Sequence, residues 1–159
     1  IVTWEDPVPV LQQLARLPGI EGVRAIASGA VPRPPLGELL DLSIPLAEEG
    51  RVTFALTPGE VHYNPMGTVH GGIIATLLDS AMGMSVQSTL DAGVRYTTLE
   101  FKVNFIRPVT VDAGQVFAEG RVVHRGRTQA VAEARLIDAA ERVYAISSST
   151  LAILAERQA

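Results

Sequence analysis

The chain predicts an α+β fold: an antiparallel β-sheet wrapped around one long buried helix, with an extra short helix at the N-terminus. Three observations predict it. From Ile73 to Val86 the residues are apolar on nearly every face of a helix, which marks a buried helix rather than a surface one. Thr97–Arg107 alternates, with Leu99, Phe101, Val103 and Phe105 on one face and Thr98, Glu100, Lys102 and Asn104 on the other, as a half-buried strand does. Strand-like segments lie on both sides of the helix, and 159 residues suffice for one core.

Taken in order, residues 7–17 carry Val8, Val10, Leu11, Leu14 and Leu17, close to a helical stripe that Pro18-Gly19 ends. Residues 18–37 are dense in glycine and proline, notably Pro32-Arg33-Pro34-Pro35, and read as a connector. Residues 1–35 are therefore expected to form a helix plus connector ahead of a main domain over 36–159. Leu39–Leu46 and Arg51–Thr57 read as a hairpin turned at Glu48-Glu49-Gly50, with Pro58-Gly59 closing the second strand. Beyond the helix, Pro108 stops the alternating strand. Gln115–Arg125 and Thr128–Asp138 follow, joined by a tight turn at Gly126, and the last strand runs from about Arg142 to Ile153. No internal repeat is visible.

Bulk properties exclude several classes. A net charge of -4 argues against nucleic acid as a main partner, because phosphate binding needs a basic face. The absence of cysteine removes thiol catalysis, disulfide scaffolds and metal–thiolate sites. His62, His70 and His124 share no metal-ligand spacing, so no metal site is expected. No apolar run reaches membrane-spanning length and no signal pattern opens the chain; a cytoplasmic location without membrane association is the default expectation.

The segment Asn64–Asp79, NPMGTVHGGIIATLLD, concentrates the chemistry. Asp79 is the only charge inside the apolar helix, and an acidic side chain is almost never buried without a partner. It is either paired in a buried salt bridge or has a task. Gly71 and Gly72 fall where the helix should begin, with unpaired N–H groups and the positive end of the helix dipole. Such donors can form an oxyanion hole for a carbonyl that gains negative charge; equally, the two glycines can merely permit a sharp turn. His70 can cap the helix or orient a reactant. Asn64, beside Pro65, can fix a turn or hold a water. Gly71 and Asp79 lie eight residues apart, roughly 12 Å along a helix, whereas a base must stand about 3 Å from its target. If both are catalytic, one comes from each of two antiparallel subunits, and two-fold symmetry generates two equivalent sites.

The pattern N-x-x-G-x-x-H-G-G, with Asp nine residues after the His, resembles the hot-dog-fold acyl-CoA thioesterases, and more closely their phenylacetate-pathway (PaaI-type) branch. The likeness covers roughly residues 36–153, with TLEFKVNFIRPV (98–109) and VVHRGRTQAVAEARLID (122–138) as further matches. The resemblance implies that Asp79 is the catalytic carboxylate, as general base or nucleophile. It implies that the Gly71 N–H binds the thioester oxygen beside Gly72, that His70 orients the thioester, that Asn64 positions water or His70, and that Thr98 sits beside the carboxylate. Thr97, one residue away, points to the opposite face. No resident cofactor is implied, since coenzyme A is part of the substrate. Its phosphates need cations, for which Arg125-Gly126-Arg127 is the first candidate and Arg107 a weaker one; two solvated arginines on a hairpin are the alternative. The resemblance also implies a homodimer with shared sites, paired into a homotetramer. Residues 1–35 are expected to cap a neighbour or the acyl tunnel. A non-catalytic acyl-CoA-binding or sensing module is the competing function, and a hydratase is disfavoured by the His70-to-Asp79 spacing.

Overall fold

The computed structural model describes residues 1–154; residues 155–159, the end of the expected main domain, lie outside the described residues. The elements are α1 (Pro7–Leu14), α2 (Gly19–Ser28), α3 (Pro35–Leu39), β1 (Ser43–Glu48), β2 (Arg51–Leu56), α4 (Gly71–Gln87), β3 (Arg95–Phe105), β4 (Val116–Arg125), β5 (Gln129–Asp138) and β6 (Val143–Leu154). One six-stranded sheet runs in the order β1-β2-β4-β5-β6-β3, and every pairing is antiparallel. Helix α4 lies on its inner face. This is the hot-dog arrangement the sequence predicts. Among the described residues no helix is long and apolar enough to cross a membrane.

The core is α4 against small side chains. Leu77, Leu78, Ala81, Met82 and Val86 have no exposed surface, and burying each large apolar side chain stabilises the fold by about 1.5–3 kcal/mol. Facing them, Ala118, Ala130, Ala132, Ala134, Ser147 and Ser149 keep the inner face shallow. Gly120 makes the closest approach, since a Cβ there would collide with the Ala81 carbonyl of α4. Ser85 fastens the helix to the sheet: its Oγ accepts the Val52 N–H at 3.0 Å and donates to the Ala81 carbonyl at 2.7 Å.

Three expectations need correction. The 18–37 stretch is no connector but holds helices α2 and α3. Tertiary packing overrides composition there. Val23 and Ile26 are buried, the Gly19 N–H donates to the Leu90 carbonyl at 2.9 Å, and a Cβ at Gly19 would collide with the Gln87 carbonyl. Gly19 is a contact point rather than a breaker, whereas Gly29 (φ 74°) ends α2 as its left-handed cap. The first hairpin strand begins at Ser43 rather than Leu39, because α3 and a left-handed Asp41 (φ 51°) occupy the start of that run.

The third correction concerns β3. Its register against β6 shifts between Thr98 and Glu100, so Leu99 is an inserted residue. A bulge reverses which alternate residues face inward. Before it, Tyr96 and Thr98 face α4; after it, Phe101 and Val103 pair with the inward Ser149 and Ser147. The clean alternation holds only beyond the bulge.

Candidate active site

The loop ahead of α4 is built by Asn64. Its Oδ1 accepts the N–H groups of Met66 (2.9 Å) and Thr68 (3.3 Å), and its Nδ2 donates to Thr68 Oγ1 at 3.1 Å. Both polar ends of Asn64 are thus engaged within its own turn. The turn delivers His70 to the N-cap of α4, where Nδ1 accepts the Gly72 N–H at 2.9 Å. With Nδ1 accepting, the proton of the neutral ring sits on Nε2. Ile73 and Ile74 direct their N–H groups to the His70 carbonyl. That leaves one donor of the first turn: among the described residues, the Gly71 N–H has no acceptor. Gly71 is half-buried beneath Phe105, whose ring would stand 3.2 Å from a Cβ placed there. A free N–H at the positive end of a helix is a site for a developing oxyanion.

Two turns further along α4, Asp79 is half-buried. The Thr98 hydroxyl donates to its Oδ1 at 2.9 Å, which places Thr98, not Thr97, beside the carboxylate. None of the ion pairs among the described residues involves Asp79. The buried-salt-bridge alternative is not realised among the described residues. Gly71 and Asp79 share one uninterrupted helix, so their roughly 12 Å axial separation stands.

Tyr96 is the neighbour that sequence reasoning missed. It faces α4 two residues before Thr98, and a Cβ at Gly83 would overlap its hydroxyl. Gly83 lies one helical turn beyond Asp79. Burial, and then the Asp79 charge, push the Tyr96 phenol up to about 12, so it stays protonated and can donate. The available signal was Gly83 itself: a glycine inside a helix costs about 1 kcal/mol against alanine and so calls for a packing reason.

The structure does not bring the arginines into contact with this cluster. Arg125 and Arg127 are exposed on the β4–β5 turn, and Arg125 donates to the Gly126 carbonyl at 3.1 Å. The register nevertheless sets Arg125, Ala130, Leu151 and Thr98 in one row across four strands, roughly 14 Å from end to end at the usual strand spacing. Arg107 donates to the Val143 carbonyl. His62 is buried with Nδ1 accepting the Gly59 N–H, and burial holds it below its ordinary value. Among the described residues no group of histidines and carboxylates is arranged to hold a metal ion.

Residues 66–145 match the thioesterase superfamily. The 1,4-dihydroxy-2-naphthoyl-CoA hydrolase of Listeria monocytogenes is 26% identical over 77% of this chain and 98% of that protein. A thioesterase family protein from Silicibacter pomeroyi superposes with a TM-score of 0.74 at 28% identity, covering 87% of this chain and 97% of that one. The PaaI protein of the E. coli phenylacetic acid degradation operon gives a TM-score of 0.73 over 84% of this chain and 91% of that one; at 18% identity this likeness is one of fold.

Proposed function

This chain belongs to the thioesterase superfamily, and on that premise we propose that it hydrolyses acyl-CoA thioesters to the free acid and coenzyme A, at two equivalent sites shared between two copies of the chain. The observation that carries this reading is Asp79: a half-buried carboxylate in an apolar helix, held by the Thr98 hydroxyl and paired with no cation among the described residues. A purely structural carboxylate at such a position would be expected to have a cationic partner. This one is set up to take a proton from water or to attack a carbonyl itself.

The free Gly71 N–H supplies the complementary half, yet roughly 12 Å of helix separates it from Asp79 of the same chain. Sharing resolves the distance. Asp79 of one chain and Gly71 of the partner subunit flank one thioester. The carboxylate deprotonates water, and the hydroxide adds to the carbonyl carbon. The oxyanion rests on the Gly71 N–H, and collapse expels the coenzyme A thiolate, which then takes up a proton. In the nucleophilic variant the carboxylate adds to the carbonyl carbon, collapse breaks the C–S bond and expels the coenzyme A thiolate to leave a mixed anhydride, and water then hydrolyses that anhydride to the free acid and the restored carboxylate.

The sheet edges support pairing. At one edge β1 is short and carries Pro45 and an irregular register, which discourages further strand addition. At the other, β3 offers eleven residues without proline and the exposed side chains Leu99, Phe101 and Phe105. An open apolar edge is a template for a second β3. Arg125 and Arg127 then serve the phosphates of coenzyme A, and His70 holds the helix terminus in shape.

The test is thiol release from a panel of acyl-CoAs by the wild type and by Asp79→Ala. A loss of two or more orders of magnitude in a folded variant is expected. Tight acyl-CoA binding by the wild type with no thiol released from any member would instead establish a binding module.

A further inference from the structure

Strand β3 serves both ends of α4 at once. Thr98 and Phe105 are seven residues apart, an odd spacing that puts two side chains on opposite faces of a regular strand. Here both face inward. Thr98 pairs with Leu151 and Phe105 with Ala145, and each of those partners is fully buried. The residue inserted between Thr98 and Glu100 supplies the missing step. One strand therefore holds Asp79 through the Thr98 hydroxyl and, at its far end, lays the Phe105 ring on Gly71.

Core packing does not account for that ring, because Phe105 leaves 57% of its surface exposed. Three of its ring carbons would stand 3.2–3.8 Å from a Cβ on Gly71, and such a Cβ would force the ring back by a few tenths of an ångström. Glycine at 71 lets ring and backbone touch. The backbone just beyond is fixed: the Ile106 and Arg107 N–H groups both donate to the Tyr144 carbonyl, at 2.8 and 3.1 Å. The ring is thus held against the one first-turn donor of α4 that lacks an acceptor among the described residues, while His70 takes the neighbouring Gly72 N–H. We propose that Phe105 is a positioning residue for the oxyanion donor, its ring keeping water off the Gly71 N–H so that the donor meets the thioester oxygen unsolvated; the assignment rests on the thioester-hydrolase reading above. An N–H in low-dielectric surroundings binds a developing negative charge more strongly than one shared with water. A hydrocarbon ring excludes water there without offering an oxygen acceptor of its own.

The experiment reads solvent exchange and turnover together. Exchange of the Gly71 and Gly72 amide protons with water is followed by NMR in the wild type, Phe105→Ala and Phe105→Leu, with melting curves to establish folding. Phe105→Ala is expected to speed Gly71 exchange about tenfold or more and to leave Gly72, still bonded to His70, within about twofold. Phe105→Leu, which restores apolar bulk, recovers most of that difference. In steady-state thiol release, kcat of Phe105→Ala falls about tenfold, part of the roughly 10²–10³ lost with a whole oxyanion donor. KM changes by less than about threefold, and Phe105→Leu again recovers most of the loss. Equal acceleration of both amides would make Phe105 a clamp on the helix end and overturn the proposal. Unchanged Gly71 exchange, or selective acceleration with kcat unaltered, overturns it as well. If Phe105→Ala does not fold, Phe105→Leu and Phe105→Val decide by the same comparison. Selective acceleration at Gly71, with no thiol released by the wild type from any acyl-CoA, keeps the shield and removes the thioesterase. Turnover by the wild type, with Gly71 exchange the same in the folded variants, does the reverse.

Discussion

Asp79→Asn keeps the size of the side chain and removes its charge. Turnover is expected to fall about 10²–10⁴-fold, the range of a lost general base, with the melting temperature little changed. Thr98→Val removes a hydrogen bond to a charged group, of the class contributing about 1.5–3 kcal/mol. Roughly a ten- to hundredfold drop in kcat is expected from steady-state kinetics if the bond persists in the transition state. Two other residues govern the pH dependence of folding. Burial holds the His62 ring below its ordinary 6.5. Asp138 is raised by burial but more strongly lowered by Arg142, Tyr144 and the Ala140 N–H, so its carboxyl lies below its ordinary 3.8. In both cases the unfolded chain binds the proton more readily, so stability falls as pH drops. Denaturation midpoints should decline as pH falls below about 6.5 through His62, and again below about 3.8 through Asp138. Asp79, Gly71 and His70 were legible as individual residues because a lone charge in an apolar helix and a Gly-Gly at its start each violate a local rule. Tyr96 was not, because its inward orientation depends on the bulge at Leu99, which no local residue demands.

At the scale of elements, close approach between backbones decides which substitutions the fold tolerates. Gly19→Ala drives a Cβ into the Gln87 carbonyl, and Gly120→Ala drives one into the Ala81 carbonyl. Neither obstacle is a flexible side chain, so each variant is expected to lose about 1–3 kcal/mol, as overpacking does, measured by chemical denaturation. The consequences differ by element. Gly19→Ala loosens α2 from the end of α4, while Gly120→Ala separates the sheet from the middle of α4. Helix α4 was readable because a long run is apolar on nearly every face, and strands β2 to β6 because turn residues bound each strand-like run. Helix α2 was not, because glycine is scored as a breaker when its neighbours in space are unknown, and those neighbours lie some seventy residues on, at Gln87 and Leu90. The six-strand order was equally hidden, since β3 pairs with β6, the strand most distant in sequence among those that follow it.

At the scale of the whole molecule, the account stands on two copies. A lysine in place of Phe101 puts a charge on the open β3 edge, a feature that blocks strand pairing. This variant is expected to elute as a monomer on size exclusion and to lose turnover together with the dimer. The distance on which the proposed sharing rests was legible from the eight residues between Gly71 and Asp79; the edge proposed for pairing, β3, was identifiable only once the strand order was known. Sharing can be tested by complementation. Gly71 is the first helical residue after the His70 cap, a position that accepts proline, so Gly71→Pro deletes the donor while suiting the helix. Differently tagged Asp79→Ala and Gly71→Pro chains are co-expressed, the heterodimer is purified through both tags, and thiol release from acyl-CoA is measured. With shared sites, one site of the heterodimer combines both defects and the other is intact, so two inactive parents should yield about half the wild-type rate per dimer. A heterodimer as inactive as its parents would place Gly71 and Asp79 of the same chain in one site and contradict the account.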